Sequence, residues 1–151
     1  RGLGDVYKRQ EDYDRVMDAG ASSKNIYFIR YADLILLYAE CLLAENDLAG
    51  AKQQVIRVRN RAKVSTPITA SNNTEMLDFI YEERMRELGM EGWRRMDLIR
   101  RGADYFAAQV DKYNPFAKGN VQPYHAFYPI PTNEINMNDG IGAEDQNEGY
   151  K

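Results

Sequence analysis

The 151 residues carry 44% apolar and 28% charged side chains with a formal net charge of -3, which is the balance of a globular domain with a core. Residues 1–10 hold three bases and one acid, so the rest of the chain stands at -5, which argues against a nucleic-acid surface and its clustered positive charge. No apolar run approaches the roughly 18–20 residues that cross a bilayer, and the lone Cys41 allows no intrachain disulfide.

Residues 1–10 resemble the translation of a sequencing-library adapter read in frame. They are set aside as a non-native peptide, which leaves the natural N-terminus and any signal peptide elsewhere. Residues 11–25 are polar, with a loop signal at Gly20-Ala21-Ser22-Ser23. From Tyr27 to about Glu45, Tyr27, Tyr31, Leu34, Ile35, Tyr38 and Leu42 recur at helical steps. Leu36, Leu37, Cys41 and Leu43 fill other faces, so this helix is expected to be buried on more than one side, with Cys41 as a small buried hydrophobe. Asn46-Asp47 marks a turn and an N-cap for a helix over about 48–63. Its inward stripe is Ala51, Val55, Val58 and Ala62, with Arg57, Arg59 and Arg61 directed mostly elsewhere. Ala39 and Ala51 are small and twelve residues apart, which lets the two helices approach closely in a tetratricopeptide-like pair flanked by Leu42 and Val55. One copy of such a repeat is visible where three or more are normal, so partner helices are expected upstream.

A loop over 65–74 follows. Asn73 or Thr74 then caps a helix reaching about Leu88, with Leu77, Ile80, Arg84 and Leu88 along one side. Gly89 and Gly92 bend the chain into a short helix over 93–101. Gly102 breaks it, and another short helix covers 103–111. Beyond Tyr113-Asn114-Pro115 the chain reads as loop, with four prolines between 115 and 131.

Between Glu83 and Arg100, acids and bases are threaded through apolar residues. Some of these charges must therefore lie near a core, which is tolerated only when they are paired. This stretch resembles the C-terminal half of the RagB/SusD family, glycan-binding lipoproteins of the Bacteroidetes outer membrane. Four further segments resemble the family in its own order: Ile29 to Glu40, Val58-Arg59-Asn60-Arg61-Ala62, Tyr128-Pro129-Ile130-Pro131-Thr132-Asn133-Glu134-Ile135, and the closing Gln146-Asn147-Glu148-Gly149-Tyr150. Glu148 stands where the family usually has proline, and Ile56 where asparagine is common.

The resemblance implies that residues 11–151 are the C-terminal part of a RagB/SusD-like domain. The implied fold is all-α, a tetratricopeptide-like helical scaffold with long irregular C-terminal loops. It also implies surface capture of an oligosaccharide and its delivery to a TonB-dependent outer-membrane transporter (SusC-like), with no bond broken and no cofactor. The membrane is reached only through an N-terminal lipid anchor outside this chain. In the family the glycan platform is assembled mainly upstream of the matched region. A rival reading is a helical-repeat module that binds protein and no sugar.

The residues themselves weigh against an enzyme. Glycoside hydrolysis needs two acids facing across a cleft, roughly 5–9.5 Å apart, and Glu83 and Glu87 sit on successive turns of one helix. The reading preferred for this stretch is a structural ion-pair network: Glu83, Glu87, Glu91 and Asp97 with Arg84, Arg94 and Arg100. No metal is expected, because His125 is the single histidine. Asn136, Asn138, Asp139, Glu144 and Asp145 lack the spacing of a calcium loop. Aromatic residues gather in the C-terminal third, and sugars stack on such rings. Trp93, Tyr105, Tyr113 and Tyr124 are the first candidates for a glycan platform, although pinning loops to a scaffold is the commoner use of such residues.

Overall fold

A computed structural model describes residues 28–151. Residues 1–10, the polar segment 11–25 and Tyr27 lie outside the described residues. The fold is all-α, and no strand occurs among the described residues. The chain divides into two compact units, one running to Leu88 and the other spanning Gly89–Lys151.

The first unit holds α1 (Tyr31–Ala44), α2 (Leu48–Arg61) and α3 (Asn73–Glu87). Asn46 takes a left-handed φ of 62° in the turn between α1 and α2, a conformation that asparagine tolerates better than most residues. Asp47 then caps α2, its Oδ1 accepting from Gly50 N at 2.8 Å. Leu36, Ala39, Ala51, Val55, Met76 and Ile80 are fully buried together, with Ile35, Leu43, Val58 and Ala70 around them. The alanine pair therefore lies within the core, and Ala51→Leu is expected to cost about 1–3 kcal/mol by overpacking it. Thermal melts of the two proteins check this, and an unchanged melting temperature would disprove the seam.

Three expectations are corrected here. Tyr31, Leu34 and Tyr38 do not face the core of this unit. They are exposed, whereas Ile35 of the same expected stripe is buried along with Leu36, Ala39 and Leu43, so α1 is buried on one side and not on several. Apolar residues cover both sides of α1, so periodicity alone does not select the inward one. Cys41 is exposed on that outer side. Arg59 is buried among neutralising partners, while Arg57 and Arg61 stay at the surface.

Asn72, one residue earlier than expected, caps α3 through Oδ1 to Glu75 N at 3.0 Å. Glu75 reaches back and accepts from Ser71 N at 2.7 Å and Ser71 Oγ at 2.8 Å. The Ser71 backbone bond, then its hydroxyl, hold the Glu75 carboxyl below the usual carboxylate range. The sign follows. A depressed pKa contributes stability that is complete above the ordinary glutamate range and is lost as pH falls through the lowered value. An NMR titration should show the Ser71 amide moving with the Glu75 carboxyl, at a midpoint below that of an unstructured glutamate. A midpoint at the unstructured value would disprove the cap.

The second unit holds α4 (Arg94–Arg100), α5 (Ala103–Tyr113), a 3-10 turn at Pro123–Ala126, α6 (Thr132–Met137) and a 3-10 turn at Ala143–Asp145. Gly102, at φ 104°, makes the break between α4 and α5 in a conformation that side chains resist. Leu98, Phe106 and Ala126 form its core, with Ile99, Ala103, Tyr105, Val110 and Val121 packed on them. The irregular remainder is held by side chains bonded to backbone. Asn138 Oδ1 accepts from Gly140 N at 3.0 Å, Asp145 Oδ2 accepts from Gly142 N at 2.9 Å, and Asp111 Oδ1 accepts from Gly119 N.

Candidate functional site

The charged residues of α3 meet partners brought by other helices. Arg84 and Asp33 are both buried, 2% and 5% exposed, with Arg84 Nη1 lying 2.6 Å from Asp33 Oδ1 on α1. Glu40, also on α1, lies 4.0 Å from Arg84 Nε. Glu83 accepts from Arg59 of α2 at 3.1 Å and from Arg86 at 2.9 Å, while Arg59 also donates to Thr66 O at 2.6 Å. Glu87 accepts from Arg30 at 2.9 Å and from Arg61, and Arg30 also donates to the Glu87 carbonyl at 2.9 Å. The Phe79 ring lies under both Arg59 and Arg86, 5.2 and 5.7 Å from its centre.

This arrangement differs from pairing along the Glu83–Arg100 stretch alone, because Asp33, Arg30, Arg59 and Arg61 complete it. The Val58–Ala62 motif supplies two of those arginines. In the second unit, buried Asp97 lies 3.7 Å from Arg100, and Glu91 and Arg94 are half-buried. Chemically, Glu83 and Glu87 each face two guanidinium groups, Arg59 and Arg86 for the first and Arg30 and Arg61 for the second.

In the second unit, the Phe127–Ile130 segment and the closing 146–150 segment bind each other. Gln146 pairs with Ile130 as a neighbouring strand would, Ile130 N donating to Gln146 Oε1 at 2.7 Å and Gln146 Nε2 donating to Ile130 O at 2.9 Å. Asn147 Nδ2 donates to Tyr128 O at 2.6 Å, and Tyr150 OH donates to Phe127 O at 3.1 Å. Arg95 fastens the segment from the helical side. Its Nη2 donates to His125 O at 3.1 Å and Ala126 O at 3.0 Å, and its guanidinium lies 4.2 Å from the centre of the Tyr128 ring. The role of Arg95 as a clasp depends on residues about thirty positions away.

Beside this clasp lies an open groove of about 720 Å³, lined by Ala103, Gln122, Pro123, Tyr124, Phe127, Asn147, Glu148 and Gly149. Tyr124 packs at 4.2 Å from His125 and edge-on to Tyr150 at 5.2 Å. Phe127 is exposed. The groove thus combines rings with amide and carboxylate groups, a lining to which a sugar could bind.

The four proposed platform aromatics are not gathered there. Tyr124 lines the groove. Tyr105 is half-buried on α5 with the Arg101 guanidinium 3.9 Å from its ring centre, and Tyr113 ends α5 with Lys112 Nζ at 4.7 Å. Trp93 is half-buried at the head of α4. Phe127 is one of the aromatics that gather in the C-terminal third, and Asn147 and Glu148 are groove residues that sequence reading did not select.

The SusD family matches residues 6–150. SusD-like protein P25 of Formosa agariphila is 34% identical over 134 residues, 85% of this chain and 25% of that protein. Starch-binding protein SusD of Bacteroides thetaiotaomicron is 30% identical over 148 residues, 94% of this chain and 24% of that protein. The chain therefore spans about a quarter of the length of these curated relatives. No solved structure matches the chain.

Proposed function

The chain belongs to the SusD family, and from that premise we propose that it is part of a cell-surface protein that captures oligosaccharides and delivers them to a TonB-dependent outer-membrane transporter. The mechanism is binding and release, with no bond broken. Attachment is through a lipid anchor on the outer face of the outer membrane. Among the described residues no helix is long and apolar enough to cross a membrane, which accords with that kind of attachment. The observation that carries the reading is the family match across residues 6–150, together with a starch-binding relative aligned over 94% of the chain.

Within that protein, residues 28–88 act as scaffold. Their charges are tied into struts, and their core is built from helix pairs. Glycan affinity requires several rings and polar groups on one rigid platform, whereas Trp93, Tyr105, Tyr113 and Tyr124 are spread over α4, α5 and the loop. The main platform is therefore assigned to the remainder of the longer polypeptide. Calorimetric titration of the longer protein and of this chain against a polysaccharide panel tests this. The longer protein should bind, and the chain alone should bind weakly or not at all. Equal affinity would move the site into this chain, with Tyr124 the first residue to replace. Absence of any glycan binding by the longer protein would overturn the reading in favour of a protein-binding helical module.

A further inference from the structure

The groove beside the Arg95 clasp holds an exposed ring next to acceptors that bond to nothing else. Phe127 is 57% exposed and lines the groove together with Tyr124, Asn147 and Glu148. Among the described residues, the Tyr124 hydroxyl, Asn147 Oδ1 and the Glu148 carboxylate bond to no other residue. The wall that carries them is held in place. Asn147 donates through Nδ2 to Tyr128 O at 2.6 Å, which leaves its oxygen to accept. Gly149 lies against the Tyr124 ring, and Tyr150 meets that ring edge-on at 5.2 Å. The volume of about 720 Å³ falls inside the range of about 300–1,000 Å³ that small-ligand sites occupy.

The charge of this site is one-sided. Glu148 is the one charged residue among the described residues that line the groove. It belongs to the stretch 132–150, which holds five acids and no base. A carboxylate accepts strongly from neutral hydroxyls. It also repels another anion that sits within a Debye length, about 8–10 Å. An exposed ring takes the apolar face of a pyranose, and acceptors beside it read the hydroxyls. We propose that this groove is an accessory sugar subsite for uncharged pyranose units, stacked on Phe127 and bonded by Tyr124, Asn147 and Glu148, with Glu148 excluding uronate and sulfated units. The inference rests on the reading of the longer protein as one that captures oligosaccharides, and it adds the class of sugar.

Hydroxyl-radical footprinting of the longer protein tests this, with oxidation of Phe127 read by peptide mass spectrometry relative to a free reference peptide. A neutral glucan hexasaccharide at millimolar concentration should slow that oxidation at least roughly twofold, because a pocket wall buries most of its ligand's surface. A hexauronate of the same length should leave it unchanged. In the Glu148→Gln protein the hexauronate should protect Phe127 as well. If Phe127 resists oxidation before any sugar is added, the groove is covered by protein and the proposal is overturned. Equal protection by both sugars in the unaltered protein, or no gain by the hexauronate in Glu148→Gln, overturns the role of Glu148. Calorimetry on the same samples separates the two readings. Neutral glycan bound with no protection of Phe127 overturns the subsite and leaves oligosaccharide capture standing. No binding of any glycan overturns both.

Discussion

Arg84→Ala should lower the stability of the chain by about 3–5 kcal/mol, the cost of stranding a buried charge. The Arg84 and Asp33 side chains are almost completely inaccessible and sit 2.6 Å apart, joining α3 to α1. Removing the guanidinium leaves the Asp33 carboxylate in the interior, with Glu40 close by on the same helix. A loss of that size is a large fraction of the total stability of a small domain, so the variant should be partly unfolded at room temperature. The double variant Asp33→Leu with Arg84→Met should recover most of the loss, since apolar groups of similar volume often replace a buried pair without penalty. Urea melts followed by circular dichroism, which reports helix content, measure both. A loss below about 1 kcal/mol for Arg84→Ala is the value of a surface pair and would show that water reaches this one.

The helices up to Tyr113 were legible chiefly where a boundary carries its own chemistry, whereas α6 lies in a stretch that reads as loop. Asp47 caps α2 as expected, Asn72 caps α3 one residue ahead of the expected position, and glycines mark the ends around 89–92 and 102. The inward face of α2 was legible in Ala51, Val55 and Val58, because charged and amide residues leave only one apolar stripe on that helix. On α1 the same logic misassigned the face. The small residue Ala39 was placed correctly against Ala51, but Tyr31, Leu34 and Tyr38 recur at helical steps as regularly as the buried residues do, and they face outward.

The charged network was legible as a need and not as a wiring. The Glu83–Arg100 stretch announced charges near a core, but the partners of Glu83, Arg84 and Glu87 lie on α1 and α2 or just ahead of α1. Nothing in local spacing names Arg30 or Asp33. The closing segments behaved in the same way. Tyr128–Pro131 and Gln146–Tyr150 both stand out in the sequence, and the fold shows why they occur together: Gln146 supplies the donor and acceptor that Ile130 would otherwise lack. The groove beside them draws on residues near 103, 122–127 and 147–149, so only its tyrosine could be singled out in advance.

Gly149→Ala should cost about 2–5 kcal/mol, from two separable causes. Gly149 has φ 86°, a left-handed conformation that costs an L-residue roughly 1–2 kcal/mol. A Cβ there would also run into the Tyr124 ring, and overpacking of that kind costs roughly 1–3 kcal/mol. The ring is held on its other sides by His125 and Tyr150, so it has little room to retreat. The sole tryptophan, Trp93, belongs to the same unit, and its fluorescence follows the unfolding of that unit. A double-mutant cycle separates the causes. In a Tyr124→Ala background the clash is gone, and Gly149→Ala should cost only the conformational part, about 1–2 kcal/mol. Equal costs in both backgrounds would mean that the ring does not press on this glycine. Because Tyr124 and Gly149 line the same groove, the cycle also tests whether this groove wall is rigid, as any contribution from it to sugar binding would require.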